Sequence, residues 1–253
     1  MPRVVCVIPA RYESTRFTGK PLADIGGKPM IQYVYEGALR AGTVSSVVVA
    51  TDDERIYKAV ARFGGQAIMT YGRHRSGTDR IAEAVRSMEL DSDDIVVNIQ
   101  GDQPLFEPSH VNEVVEPLLQ VPDEYYCTLI YRIRRPEEIH HPNAVKVVFD
   151  KDHYALYFSR ATIPFVRDGG IETHYYKHHG IYSYRQHFLM KFAELPTGYL
   201  EKREALEQLR ALEHGYRIKV VETDHDSVEV DTPEELERVK DLVLKKRGSV
   251  KGE

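Results

Sequence analysis

Residues 11–20 carry the densest potential chemistry in the chain. Arg11, Ser14, Thr15, Arg16, Gly19 and Lys20 bring three cations, two hydroxyls and a glycine into one polar stretch. Guanidinium and ammonium groups form short charge-assisted hydrogen bonds with phosphate oxygens, so the stretch has the composition of a polyphosphate cradle. By spacing alone a solvated surface connection would look the same, and both readings stand. Two known phosphate loops are excluded: no GxGxxG follows, and Lys20 precedes Pro21 instead of the Ser or Thr of a Walker A loop.

Two carboxylates form a second group. Asp102 follows an apolar run, and Asp231 follows Val228-Glu229-Val230. Carboxylates converging opposite a phosphate loop suit Mg²⁺, which combines a few of them with phosphate oxygens. That ion offsets charge during phosphoryl transfer. Each has a plainer alternative. Asp102 could be a turn residue before Pro104. Asp231 could help to start a helix, since Thr232-Pro233-Glu234-Glu235 has the form of a capping box with Pro at the first helical position.

Ser76-Gly77-Thr78-Asp79-Arg80 is a glycine-bearing helix start whose N–H groups can meet a phosphate or a nucleotide edge, although many helices begin this way with no ligand. His140-His141 and His178-His179 are adjacent pairs. In a strand at most one of each pair faces a site. No HExxH or CxxC spacing offers a zinc site. Glu207 lies off the apolar stripe of Leu206 and Leu209, and its spacing alone makes it a surface ion pair with Arg203 or Arg210.

The elements that must position these groups follow from periodicity. The β-branched run at 4–8, bounded by Pro9, predicts a buried strand of a parallel sheet. Ligands of open α/β sheets sit beyond the carboxyl ends of the strands, where the polar stretch begins. Gly26-Gly27-Lys28-Pro29 predicts a turn, and a helix over 30–41 has Pro29 in its first turn. Strands are expected over 46–50, 67–70 and 95–99. One helix between them starts at Thr51-Asp52-Asp53-Glu54 and ends at Gly64-Gly65, and another runs through Met88. This alternation predicts a mostly parallel sheet with helices on both faces, with Asp102 at its ligand edge. Strands over 126–133 and 144–149 then follow with no helix between them, and a tyrosine-rich strand covers 175–184. They suggest a smaller antiparallel lobe. Helices over 185–193 and 200–214, strands over 218–222 and 227–230, and a helix from Pro233 complete the chain, with a frayed tail from Lys245.

The 253 residues, 42% hydrophobic and 29% charged, suffice for one large α/β domain, alone or with a small lobe. A net charge of -5 argues against nucleic-acid or membrane binding by bulk charge. Cys6 and Cys127 lie in apolar runs without basic neighbours, as buried reduced thiols do, which points to the cytoplasm. The opening enters a strand at once, so no signal peptide is expected, and no apolar run approaches membrane-spanning length.

The sequence resembles the cytidylyltransferases that make CMP-Kdo, where Kdo is 3-deoxy-manno-octulosonate. The early matching stretches are Ile8-Pro9-Ala10-Arg11, Ser14-Thr15-Arg16, Gly19-Lys20-Pro21-Leu22, Ala50-Thr51-Asp52, Ser76-Gly77-Thr78 with Arg80, and Gln100-Gly101-Asp102. The later ones are Asn143-Ala144-Val145-Lys146-Val147-Val148, Ala155-Leu156-Tyr157-Phe158-Ser159-Arg160-Ala161-Thr162-Ile163-Pro164, His178 with Gly180-Ile181-Tyr182, Leu206-Glu207-Gln208-Leu209-Arg210, and Val230-Asp231-Thr232-Pro233-Glu234.

The resemblance implies a Rossmann-like nucleotidyltransferase fold in a single domain over 1–253, with about 126–190 as an antiparallel dimerisation and sugar-binding lobe. It implies a homodimer, CTP and Mg²⁺. By position, Ala10, Arg11, Ser14, Arg16, Lys20, Ser76, Gly77 and Arg80 would bind the nucleotide. Asp102 and Asp231 would hold the metal and, with Lys20, be catalytic. Gln100, Arg160, His178, Tyr182, Glu207 and Gln208 would hold the sugar acid, which for Glu207 overrules the local reading.

The expected reaction is attack of the sugar acid's anomeric hydroxyl on the α-phosphorus of CTP, with pyrophosphate leaving and the product feeding lipopolysaccharide synthesis. The chain departs from the commoner pattern at Gln103 (often Glu), at Lys177 and His179 (often Arg and Leu), and in a shorter segment between Pro164 and His178. Gln103, that segment and Tyr176-Lys177-His178 resemble a branch that activates 8-amino-Kdo. Charge does not select it. Gln103 is neutral, and strand alternation turns Lys177 away from the side of His178. Kdo, the commoner substrate of the family, therefore ranks first and the 8-amino sugar a close second. A glycosyltransferase would need a DxD motif after a central strand, and Asp91-Ser92-Asp93, Asp150-Lys151-Asp152 and Asp224-His225-Asp226 are all poorly placed. A non-catalytic sugar-nucleotide binding module would not need both aspartates.

Overall fold

The computed structural model describes residues 1–13, 17–71, 74, 76–167, 173–230 and 232–249. The expectations for Ser14, Arg16 and Asp231 thus lie outside the described residues.

Strand β1 (Val4–Ala10) is buried throughout. Its alternate side chains feed two cores, Cys6 and Ile8 on one face and Val5 and Val7 on the other. The strand does not stop at Pro9. Pairing with β6 (Ile95–Ile99) ends at Val7, while pairing with β4 (Ser46–Thr51) continues to Ala10. After the polar stretch come a 3₁₀ turn, Lys20–Leu22, and a hairpin of β2 (Asp24–Ile25) and β3 (Lys28–Pro29). Gly26 and Gly27 close that hairpin with φ of 57° and 90°, as a two-residue turn requires. Helix α1 (Met30–Leu39) follows, with Pro29 at its N-cap. Then come α2 (Glu54–Arg62), capped by the Asp53 carboxylate, β5 (Gln66–Met69) and α3 (Gly77–Arg86).

The second half departs more from expectation. Helix α4 (Ser109–Gln120) was not anticipated, although His110, Val111, Val114, Val115 and Leu118 form a buried helical stripe around the breaker Pro117. A short helix α5 (Pro136–His140) does lie between β7 (Tyr126–Arg132) and β8 (Lys146–Phe149). Strand β9 (Ala155–Ser159) is an addition, before β10 (Tyr176–Arg185) and α6 (Gln186–Glu194). The single helix expected over 200–214 is broken into α7 (Tyr199–Glu204) and α8 (Leu209–Glu213), with Ala205 left-handed at φ 51°. After β11 (Lys219–Thr223), residues 227–230 form no strand, and Val230 N–H donates to Asp102 O at 2.9 Å. Helix α9 (Pro233–Ser249) opens with the expected capping box: Thr232 N–H donates to Glu235 Oε2 at 3.0 Å, and Glu235 N–H to Thr232 Oγ1 at 3.3 Å. Its backbone stays helical past Lys245, where fraying was expected.

The sheet runs β11-β7-β10-β6-β1-β4-β5 among the described residues. Neighbours are parallel except at β10, which opposes both β6 and β7. Strands β8 and β9 extend β10 antiparallel, so the antiparallel region grows from the main sheet. One core lies between the sheet and α1, α2 and α4, a second against α3, α6 and α8. A third, smaller cluster packs Leu236, Val239 and Val243 of α9 with Val230 onto Ile25 and Met30. No described helix is long and apolar enough to cross a membrane.

Candidate active site

The carboxyl ends of β1 and β6 meet the N-terminus of α3. A Cβ on Gly77 would lie 3.1 Å from Pro9 Cγ and 3.5 Å from Gln100 Oε1, so a side chain there would have to push Pro9 aside. Ser76 caps the helix, its Oγ accepting from Asp79 N–H at 3.1 Å. Across the cleft, Lys20 Nζ donates to Asp102 Oδ2 at 2.7 Å, a partly exposed pair. Lys20 is delivered by Gly19, which has φ 72° and donates its N–H to Tyr12 O at 2.8 Å. The Arg55 guanidinium lies over the Tyr12 ring, 3.3 Å from its centre. Arg11 is exposed at the end of β1, whereas the Ala10 side chain belongs to the first core. Arg80 is buried and turned to Thr70 Oγ1 (2.5 Å) and Asp52 Oδ2 (2.7 Å), so it braces α3 against the ends of β4 and β5.

The break between α7 and α8 puts Glu207 and Gln208 on a turn facing the start of α3. Thr78 Oγ1 donates to Glu207 Oε2 at 2.5 Å. Burial raises the Glu207 carboxyl above its usual range, against the lowering effect of hydrogen bonds from Ser76 and Thr78. Arg210 lies 3.7 Å from Glu207 but is itself 2% exposed and clamped by Glu201 at 2.6 and 2.9 Å. The pair anticipated for the surface is therefore interior. Gln208 is buried, and its Oε1 accepts from Tyr182 OH at 3.5 Å. Arg160 donates to the carbonyls of Glu204 (2.7 Å), Pro142 (3.1 Å) and Ala205 (3.3 Å), which ties down the helix break. Gln100 Nε2 donates to Asn98 Oδ1 at 3.0 Å.

His178 packs between Phe158 and Tyr182, its ring 5.2 Å from each. Burial, reinforced by neighbouring His179, pushes it down to about 3, so it is neutral near pH 7. Its Nε2 lies 3.0 Å from Thr128 Oγ1, and that hydroxyl donates its one proton to Ile181 O at 2.9 Å. The His179 carbonyl, at 3.2 Å, competes for the same proton, so the setting favours the tautomer with Nε2 protonated and Nδ1 as an acceptor.

Lys177 and His179 leave β10 on the opposite face from His178, as alternation requires. Yet a cavity of about 400 Å³ at the strand end is lined by Lys177 and His178 together, with Glu138, Glu229 and Arg238. Alternation therefore does not remove Lys177 from the site. Its ammonium is matched by Glu138 at 2.6 Å and Asp226 at 2.8 Å. Burial works to raise Asp226, but hydrogen bonds from His179 and Lys177 hold it down at about 2. Asp226 is thus committed to ion pairing, and Asp150 accepts from its own loop at Asp152 and Tyr154, so two of the three DxD motifs serve local structure.

Asp102 presents a hard oxygen donor at the strand end, a fit for Mg²⁺. No group of three or more His, Cys, Asp or Glu that could hold a metal occurs among the described residues. Sequence reading did not single out Thr128, Asn98, Asp226 or Glu229 as site residues. Thr128 and Asn98 carried a signal, a polar side chain inside an otherwise apolar strand.

A family model described as cytidylyltransferase matches residues 5–242. The chain belongs to the cytidylyltransferase family. It is 66% identical over 244 residues to a 3-deoxy-manno-octulosonate cytidylyltransferase of Syntrophus aciditrophicus, covering 96% of this chain and 98% of the relative. It is 52% identical over 236 residues to an 8-amino-3,8-dideoxy-manno-octulosonate cytidylyltransferase of Shewanella sp. strain ANA-3, covering 93% and 96%. The fold is similar to the solved structure of a CMP:2-keto-3-deoxy-manno-octonic acid synthetase complexed with CTP, with TM-score 0.91, 44% identity, and coverage of 96% and 99%.

Proposed function

We propose that this cytidylyltransferase, acting as one nucleotidyltransferase domain, joins CTP to Kdo and releases pyrophosphate, supplying CMP-Kdo for lipopolysaccharide synthesis. The observation that carries the reading is the cleft itself. A Lys20–Asp102 pair at the strand ends faces the capped start of α3, with Glu207, Gln208, Tyr182 and a neutral His178 on the far wall. The high identity to a relative named for Kdo over nearly the whole chain supports the substrate.

In this reading Arg11, Ser14, Arg16 and Lys20 hold the triphosphate, and Ser76, Gly77 and Arg80 support the nucleotide pocket. The anomeric oxygen of the sugar acid forms the new bond to the α-phosphorus as the bond to pyrophosphate breaks. No covalent enzyme intermediate is needed, so the protein contributes positioning and charge neutralisation. Glu207, Gln208, Gln100 and Tyr182 orient the sugar acid. His178 Nδ1 accepts a hydrogen bond from one of its hydroxyls, and Arg160 keeps the Glu207 turn in place. Asp102 and Asp231 would hold Mg²⁺, which neutralises phosphate charge when bound. A homodimer in the cytoplasm completes the proposal.

The assay is pyrophosphate release from CTP, Kdo and Mg²⁺. Failure with Kdo and with close analogues would remove the transferase reading. The 8-amino sugar is the second reading. The cavity beside His178 carries Glu138 and Glu229, which suit an ammonium, but also Lys177 and Arg238, which do not. Competition between the two acids decides, by kcat/KM. A strong preference for the amino form reverses the order, and near-equal values mean that the terminal group is not read.

A further inference from the structure

We infer that Asn98 is a positioning residue for the sugar acid: through one hydrogen bond it sets which end of the Gln100 side-chain amide faces the cleft. The inference deepens the function proposed above and rests on it, since it takes Gln100 to contact the sugar. Asn98 stands on β6, two residues before Gln100 and on the same face of the sheet, and its side chain is fully buried. A polar side chain so placed among apolar neighbours calls for a partner. Its Oδ1 accepts from Gln100 Nε2 at 3.0 Å. With Nε2 engaged behind, Gln100 Oε1 is turned toward the start of α3, 3.5 Å from where a Cβ of Gly77 would stand. The strand end thereby presents an acceptor, the complement of a sugar hydroxyl that donates.

The two ends of an amide are nearly the same size, so shape does not choose between them, and hydrogen bonding does. The choice at Asn98 comes from β10. Tyr182 pairs directly with Asn98, and Tyr184 follows on the same face. Burial and the Glu207 carboxyl raise the Tyr184 hydroxyl above its usual range, while Tyr126, Thr78 and Asn98 act against that rise. A neighbour lowers a hydroxyl in this way by donating to its oxygen. Asn98 Nδ2 is therefore turned to Tyr184, although it has no acceptor close enough for a full hydrogen bond, and Oδ1 is left for Gln100. Glycine leaves the passage open. A Cβ on Gly180 would lie 3.7 Å from Gln100 Cγ, so the Gln100 side chain runs between Gly180 of β10 and Gly77 of α3.

The test removes the bond from each end. N98L and Q100L, which replace the amides with apolar side chains of similar size, the double variant N98L/Q100L, and N98D are purified as full chains. KM for Kdo, KM for CTP and kcat are measured beside thermal melts. N98L is expected to raise KM for Kdo about tenfold, the scale of one buried hydrogen bond, with KM for CTP within about twofold. In the double variant N98L adds nothing to the effect of Q100L, because no amide remains to be aligned. N98D, its buried carboxyl protonated, keeps an acceptor for Gln100 and stays within about threefold of the parent. N98S, too short to reach Gln100, takes the place of N98L if that variant does not fold. A merely structural role would lower the melt and multiply with Q100L. The inference is overturned if N98L leaves KM for Kdo at the parent value, raises both KM values alike, or adds its full factor to that of Q100L. It is overturned too if N98D, with a parental melt, loses as much as N98L. An unchanged KM for Kdo in Q100L removes the sugar contact of Gln100, and with it the inference. Failure of the parent to release pyrophosphate from CTP and Kdo removes the proposed function itself.

Discussion

Lys20 and Asp102 hold each other at 2.7 Å across a cleft open to solvent. Neither is packed in a core, so their replacement should separate activity from folding. Lys20→Met is expected to lower kcat by about 100-fold or more, the scale for removing one preorganised charge partner of a developing anion. Steady-state kinetics beside a thermal melt checks this, and a melt lowered by many degrees with unchanged kcat would count against it. Asp102→Asn and Asp231→Asn should lose most turnover in the same way. A lower melting temperature without a lower rate for Asp231→Asn would mark it as the start of α9 instead. The polar stretch and Asp102 were legible because charge directly after a buried strand has few structural reasons to exist. The setting of Glu207 was not, since helical spacing put it on a surface and a backbone break put it against α3.

That break belongs to the scale of elements. Ala205 adopts φ 51°, a conformation that opposes its Cβ to the following carbonyl. Arg160 donates to the carbonyls on either side of the break. Ala205→Gly should relieve the backbone strain, offset partly by a more flexible unfolded chain, for a net gain of about 0.5–1 kcal/mol. Urea unfolding reads the gain, and destabilisation by glycine would show that the turn is held by packing of the methyl group. Local propensity could not reveal the break, because residues 200–214 hold no glycine or proline and keep helical spacing. Helix α4, by contrast, was missed although a signal for it was present. Its stripe from His110 to Leu118 was written in the sequence and masked only by Pro117. Residues 227–230 misled in the other direction, since alternating β-branched residues describe extended backbone whether or not a partner strand exists.

At the scale of the whole molecule, the alternation in the first half foretold the sheet correctly. Antiparallel pairing around 175–184 was also expected, but not that β10 would enter the main sheet between β6 and β7, because side-chain periodicity carries no strand order. Its antiparallel course there brings His178 to the ligand end, where burial keeps it neutral down to about pH 3. In the unfolded chain a histidine binds its proton near pH 6.5. Between these values the unfolded state holds the extra proton, so stability must fall as pH is lowered through this window. Melting temperature is expected to decline from pH 6.5 downward, and more shallowly in His178→Asn. Identical slopes in parent and variant would assign the acid sensitivity elsewhere. The Asp226 ion pair adds its own loss only lower, below the usual carboxylate range and toward about pH 2.

The small apolar cluster under α9 also orders events in time. Ile25 and Met30 leave the ribosome early, but their partners Val230, Leu236, Val239 and Val243 come about 200 residues later. At roughly 5–20 residues per second, the wall of the cleft stays unfinished for about 10–40 s after the first strand is made. During that interval a folded sheet can exist without a competent site, and nascent chains should neither consume CTP nor trap the sugar acid. A chain stopped after residue 225 should keep strand and helix signals in circular dichroism, bind a hydrophobic dye at the bared Ile25 patch, and release no pyrophosphate. Activity in such a chain would mean that the late segment is dispensable. If it is not, translation itself sets the moment at which the enzyme begins to work.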